Sequence, residues 1–196
     1  MKKSIFSAVA LMTAISAPAF ADVNAFEGYN AGLNLKMINT SSSTTIDGVT
    51  IDIGKDTLMT DIQGGYVFRM TPRATLGVSV DYSFGEVKGG NIGSAELKGK
   101  NAWGVALEPG YVMSKDTLIY GILSFNRIQG EAVGEGESAS KSFYGVGYGA
   151  GTRIKLDSNW YVQLEAKSIH YEDKSIDGVN FKPRATLGLI GVGYRF

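Results

Sequence analysis

Cysteine is absent from the 196-residue chain, which excludes a disulfide framework and any thiolate metal site. Proline is scarce at 4 residues, while glycine reaches 26 without a G-X-Y period. That balance fits closely packed strands better than collagen or a linker. No apolar run approaches the roughly 20 residues of a transmembrane helix, so any membrane crossing must be made by strands. Neither sign of charge dominates, with 19 basic and 19 acidic residues, and no nucleic-acid footprint is visible. Only one histidine, His170, is available for imidazole chemistry.

What is present begins with an export signal. Lys2 and Lys3 precede an apolar run from Ile5 to Ile15, then Ser16-Ala17-Pro18 and the small-x-small site Ala19-Phe20-Ala21, the layout of a cleavable secretory segment. The expected organisation is therefore a signal peptide at 1–21 and one mature domain at 22–196. No cysteine follows the cleavage site for lipid attachment.

The stretch from Tyr144 to Leu156 alternates with period two: apart from Thr152, even positions are apolar and odd positions are Gly, Arg or Lys. Side chains on a strand alternate between faces, so this pattern describes a strand between hydrocarbon and a polar interior. A one-residue slip would turn Arg153 and Lys155 toward lipid, at about 2–4 kcal/mol for a cation at the bilayer midplane.

Weaker versions of the pattern give seven more segments: Tyr29 to Met37, Leu58 to Phe68, Ala74 to Phe84, Ala102 to Met113, Leu118 to Arg127, Trp160 to His170, and the terminal stretch ending Ile190 to Phe196. The expected fold is all-β, an eight-stranded antiparallel up-and-down transmembrane barrel. Pro109 on the outward face predicts a bulge or a rim position. In Leu118 to Arg127 both faces are apolar, which predicts a bulge that switches them. Short turns near 71–73, 114–116 and 157–159 alternate with long connections near 39–56, 85–99, 127–141 and 171–183. That alternation predicts one tight rim and one rim with four polar extracellular loops.

Inward positions gather Lys36, Asp61, Arg69, Asp81, Glu108, Arg153, Lys155, Glu165, Lys167 and Arg195. In a narrow barrel these predict a structural network of paired charges that meet across the axis, since unpaired buried charge is costly. An ion-conducting path is the alternative use of the same residues. Trp103, Trp160, Tyr66, Phe68, Tyr144, Tyr194 and Phe196 are expected to form aromatic girdles. Gly145, Gly147, Gly149 and Gly151 lack the helix that a phosphate loop requires, and close interior packing explains them.

With the export signal and eight alternating segments, the chain resembles the small OmpA/OmpX-like and opacity-type outer-membrane barrels. Glu108-Pro109-Gly110-Tyr111, Tyr120-Gly121 and the closing Gly191-Val192-Gly193-Tyr194-Arg195-Phe196 carry the likeness. The resemblance implies residence in the outer membrane of a Gram-negative bacterium, among its lipid and lipopolysaccharide, and structural, adhesive or antigenic roles. It also implies that the outward-facing Ile190, Val192, Tyr194 and Phe196 form the signal read by the barrel-assembly machinery, and that the loops meet a host or matrix ligand.

A peptidoglycan-binding domain often follows such barrels. None follows Phe196, so cell-wall anchoring is not expected. No cofactor is implied. Some relatives modify lipid A with a His-x-Ser arrangement, but here His170-Tyr171-Glu172 follows Ser168, so no enzyme is expected. A small-solute channel remains the first alternative and a lipid A-modifying enzyme the second. A soluble lipocalin-like barrel would need the apolar face turned inward.

Overall fold

A computed structural model describes residues 23–46, 49–92, 95–133, 138–156, 159–176 and 179–196; the predicted signal peptide lies outside them. Eight long strands wind antiparallel into a closed barrel: β1 (Gly28–Ile46), β2 (Val49–Arg69), β3 (Ala74–Phe84), β5 (Ala95–Ser114), β6 (Thr117–Val133), β7 (Ser138–Lys155), β8 (Trp160–Tyr171) and β10 (Val179–Arg195). Two short strands, β4 (Val87–Ile92) and β9 (Lys174–Ile176), extend the hairpins beside β5 and β10. Closure is made by β1 against β10, from Asn30↔Arg195 to Thr44↔Phe181, which leaves the barrel without a free edge inside the bilayer.

Solvation explains the register. Leu33, Leu58 and Val146 are 61, 71 and 62 % exposed on the outer wall, whereas Asn34, Asp61 and Gln163 inside are at most 1 % exposed. The apolar face therefore points outward, which rules out the lipocalin-like arrangement. Two aromatic belts bound the apolar wall. Near the short turns Tyr29 packs edge to face on Tyr66 with Phe68 tilted beside it, and Tyr194 packs edge to face with both Trp160 and Phe196. Near the opposite end Tyr82 meets Phe84, and Trp103, Phe125 and Tyr144 form a second row.

Three expectations are corrected. The connections near 39–56, 85–99, 127–141 and 171–183 are not mainly loops. Strands β1 and β2 stay paired to Ile46↔Val49, and β6 and β7 to Val133↔Ser138, so the barrel wall continues outward as hairpins. A run of Ser and Thr in the sequence reads as loop, yet its backbone pairs here.

Pro109 makes no bulge. It keeps register between Leu107↔Leu123 and Gly110↔Tyr120 and pairs Leu76 on β3. The ladder gap that its missing N–H imposes falls on the β6 side. The bulges of β5 lie elsewhere, between Lys100 and Trp103 and between Val112 and Ser114. At the first of them Asn101 has φ 51°, a conformation asparagine tolerates better than most residues.

The Leu118 to Arg127 stretch also keeps its faces, pairing β7 without interruption. Its inner side is simply apolar, because Leu118, Tyr120 and Ile122 join a buried cluster with Val23, Phe26, Ala106 and Val112. Val23 and Phe26 arrive from a 3-10 turn at Val23–Ala25, folded into the periplasmic mouth as a stopper. Gly28, at φ 124°, turns the chain from that stopper into β1, a conformation glycine adopts freely. A second apolar cluster, Ile38, Met59, Val87, Ile169, Ala185 and Leu187, lines the extracellular half.

Candidate functional site

Between the two apolar clusters lies a polar layer that crosses the barrel axis. Lys36 on β1 faces Asp61 on β2 at 2.5 Å and Asp81 on β3 at 3.3 Å, and donates to Ser83 Oγ at 3.1 Å. Asp81 also faces Lys167 at 3.8 Å. Strands β3 and β8 are four steps apart in either direction around the barrel, so that contact spans its diameter.

Arg153 on β7 meets Glu108 on β5 at 2.7 Å, each side chain 3 % exposed. Glu108 accepts further hydrogen bonds from Ser79 Oγ at 2.5 Å and Gln63 Nε2 at 3.3 Å. Gln163 ties the two halves together, donating to Asn34 Oδ1 at 2.8 Å and Gln63 Oε1 at 2.6 Å while accepting from Arg153 Nε at 3.3 Å. Asn34 in turn donates to Asp61 at 2.7 Å. Interior groups thus satisfy one another, as buried charge requires.

Glycine makes room for this layer. The Arg153 guanidinium stacks over Tyr120 at 4.8 Å and Tyr161 at 5.6 Å. Tyr120 lies across its partner Gly151 and Tyr161 across its partner Gly193. A Cβ on Gly151 would stand 2.6 Å from Tyr120 Cζ, and one on Gly193 would enter the Tyr161 ring. Gly151 and Gly193 are therefore seats for large side chains from the adjoining strand. Tyr120 Oη donates to Glu165 Oε1 at 2.8 Å, which fixes the outer edge of that stack.

Of the ten charged residues read as interior, seven belong to this layer: Lys36, Asp61, Asp81, Glu108, Arg153, Glu165 and Lys167. Three do not. Arg69 is exposed at the short-turn rim and donates to Asn24 Oδ1 at 3.0 Å. Arg195 donates to Glu27 O at 3.1 Å and Asn24 O at 3.3 Å, and to Asn159 Oδ1 at 3.3 Å. Lys155 lines the same mouth, beside Asn159, Trp160 and Tyr161. Parity placed them on the inner face, but near a strand end a long side chain turns toward water, and here Arg69 and Arg195 hold the stopper. The uncharged members of the layer, Asn34, Gln63, Ser79, Tyr120, Tyr161 and Gln163, share the inward parity; the sequence offers no other sign that they bridge strands.

Ile190, Val192 and Phe196 are exposed on the outer wall, with Tyr194 packed between Trp160 and Phe196, each ring centroid 5.1 Å away. His170 stacks on Tyr148 at 5.5 Å, and no hydrogen bond joins it to Ser168 among the described residues. Above the outer aromatic belt, Lys100 bridges Glu131 at 2.7 Å and Glu86 at 3.2 Å. Its hydrogen bond holds the Glu86 carboxyl below the usual carboxylate range.

A closed eight-stranded wall, apolar outside, belted by aromatics and filled by paired charges, defines an outer-membrane β-barrel protein. Residues 7–196 match the model of the outer membrane protein beta-barrel domain, and the chain belongs to that family. No curated protein sequence matches it.

Among solved structures it is similar to Ail, the attachment invasion locus protein of Yersinia pestis, in complex with the heparin analogue sucrose octasulfate. That match has 18 % identity over 87 % of this chain and 99 % of the other, with a TM-score of 0.51. Neisserial surface protein A matches at 16 % identity over 84 % of this chain and 97 % of the other, TM-score 0.53. The outer membrane protease OmpT of Escherichia coli matches at 9 % over 87 % and 97 %, TM-score 0.50. At these identities the shared property is the fold, and with the family it places the chain in the outer membrane.

Proposed function

We propose that this barrel is a closed outer-membrane scaffold that presents its extracellular hairpins for surface interaction, in an adhesin- or antigen-like role. The observation that carries this reading is the division of the molecule along its axis. The membrane-spanning half is filled by side chains that pair with each other, as in Arg153–Glu108 and Lys36–Asp61. The hairpins continue beyond the outer aromatic belt as regular ladders, to Ile46↔Val49 and to Val133↔Ser138. A filled lumen favours support over transport, and hairpins whose backbones stay paired offer a defined surface for a partner. A binding role on this fold has a precedent in the Ail complex with a heparin analogue.

Export by a cleavable segment at 1–21, lipopolysaccharide as the surrounding lipid, and recognition of Ile190, Val192, Tyr194 and Phe196 by the assembly machinery belong to the same proposal. Ile190 and Val192 are exposed on the strand that closes the barrel, and Phe196 just beyond it packs on Tyr194. No catalytic role is assigned, since His170 is engaged by Tyr148.

The test is to shorten residues 39–56 and 127–141 to tight turns and compare adherence of cells to extracellular matrix and host-cell layers. Adherence should fall while the shortened barrel stays heat-modifiable on gels. Unchanged adherence would remove the surface-interaction reading.

A further inference from the structure

The outer wall over β5, β6 and β7 carries two features that the filled interior does not explain. The first is charge. Arg127 on β6 pairs Trp103 and Tyr144 in the outer aromatic belt, and its guanidinium runs on to donate to Ser142 Oγ at 2.9 Å. Its Nε finds no acceptor, and no carboxylate pairs with it among the described residues. Arg127 and Trp103 also border the chamber inside, at the level where the β5 ladder skips from Lys100 to Trp103.

Neighbouring outward positions add to the excess. Lys100 pairs Gln129 just beyond Arg127, and Lys98 stands directly opposite Lys88, a like-charge pair that is unfavourable until an anion screens it. Lys98 and Lys100 share Glu86, and Lys100 also meets Glu131. Lys88 is exposed and pairs with no carboxylate among the described residues. Between the belt and Lys98, Arg127, Lys88, Lys98 and Lys100 therefore face only Glu86 and Glu131. The next acidic position on β5, Glu96, lies two residues farther from the membrane.

The second feature is shape. A groove of about 570 Å³ opens on the lipid-facing side of the same strands, its outer lip at Leu123, about 13 Å along β6 from Arg127. Gly121, Ala150 and Ala166 form its floor, paired side by side across β6, β7 and β8. Three small residues at one level leave a trough in an otherwise bulky wall.

Position selects the occupant. Aromatic belts sit at headgroup level, where long cationic side chains reach the lipid anions, and a guanidinium binds phosphate through paired N–H···O bonds. A soluble anion would answer the charge and leave the trough empty. A second copy would bring trough against trough, because a two-fold interface uses the same patch twice. An anionic lipid answers both features, with phosphate on the cations and an acyl chain in the trough.

We propose that this wall is a seat for one phosphorylated lipid of the outer leaflet, its phosphate groups on Arg127, Lys100 and Lys88 and an acyl chain over Gly121, Ala150 and Ala166. The inference rests on the reading of lipopolysaccharide as the surrounding lipid and names where one such molecule is held.

The probe is lipid A bearing both phosphates, at graded fractions in phosphatidylcholine nanodiscs that hold the refolded full mature chain. NMR follows the Arg127 Nε–H and the Ala150 and Ala166 methyl groups, while Leu33, on β1 four strands from β6 in either direction, reports bulk lipid. Saturable shifts at Arg127, Ala150 and Ala166, with no saturation at Leu33, are the expected result. Arg127→Gln should weaken binding about fivefold or more, the usual worth of one cation at an anionic membrane surface, and the exposed Lys88→Gln should act in the same direction. Ala150→Leu, which fills the trough and leaves the cations in place, should weaken binding and silence the Ala166 shift.

Equal saturation at Leu33 would overturn the proposal, as would the same response to lipid A stripped of its phosphates. Saturation of Arg127 by inorganic phosphate, with Ala150 and Ala166 unmoved by lipid A, would make this a free-anion site and overturn it too. So would unchanged affinity in Arg127→Gln. The discs supply the lipid directly, so failure there strikes this seat alone, whereas the lipid that co-purifies with the barrel from cells tests its residence in lipopolysaccharide.

Discussion

Replacing Arg153 by Met removes the cation from a deeply buried ion pair of the barrel. Glu108 would then hold a carboxylate at 3 % side-chain exposure with only Ser79 and Gln63 to donate to it. Stranding one partner of a buried pair costs about 3–5 kcal/mol. The two stacking contacts of the guanidinium on Tyr120 and Tyr161 add roughly 0.5–2 kcal/mol each. A methionine thioether against the same rings returns about 0.3–1.5 kcal/mol, and the two surviving donors blunt the stranded charge.

A net loss of at least about 3 kcal/mol follows from these terms. Adding Glu108→Gln to the same chain should recover most of it, because no unpaired charge remains and a fully neutral replacement of a buried pair is often close to neutral in stability. The assay is equilibrium urea unfolding in phospholipid vesicles, read by the fluorescence of Trp103 and Trp160. A single-variant loss under about 1 kcal/mol, or a double variant no better than the single, would refute the reasoning.

Further outcomes follow from the same geometry. Gly193→Ala should destabilise the barrel by about 1–3 kcal/mol through overpacking against Tyr161, whereas Gly188→Ala, with nothing within 4 Å of its added Cβ, should leave the unfolding midpoint unchanged; equal effects would contradict the seat role of Gly193. Replacing both Val23 and Phe26 by Ser removes the stopper's apolar anchors and should cost about 3–6 kcal/mol at 1.5–3 kcal/mol for each side chain, measured by the same urea titration. Phe196→Ala should slow assembly in cells while the purified protein refolds to nearly wild-type stability. A variant impaired equally in both settings would make Phe196 a packing residue only.

The barrel was legible because two solvents act on every strand: hydrocarbon on one side and a crowded polar lumen on the other impose period two wherever one face is charged, as from Arg153 to Lys155. Legibility failed where that contrast vanished. At Leu118 to Leu123 both faces are apolar because the inner one packs against Val23 and Phe26, a contact across the mouth that no local window contains.

In the hairpins Ser41 and its neighbours carry no alternation of polar and apolar residues, although they pair. Parity put Lys36, Glu108, Arg153 and Lys167 inside, but which of them meet depends on strand stagger, a property of closure. Parity alone also could not tell Arg195, turned to the rim, from Arg153, buried in the layer.

Interior side chains that meet across the axis close the lumen. Planar-bilayer recording of the purified, refolded mature barrel tests that closure most directly. A silent membrane, without discrete current steps, is the expected result. Steady, reproducible steps that change size in Arg153→Met would show an open path through the ionic layer and contradict it.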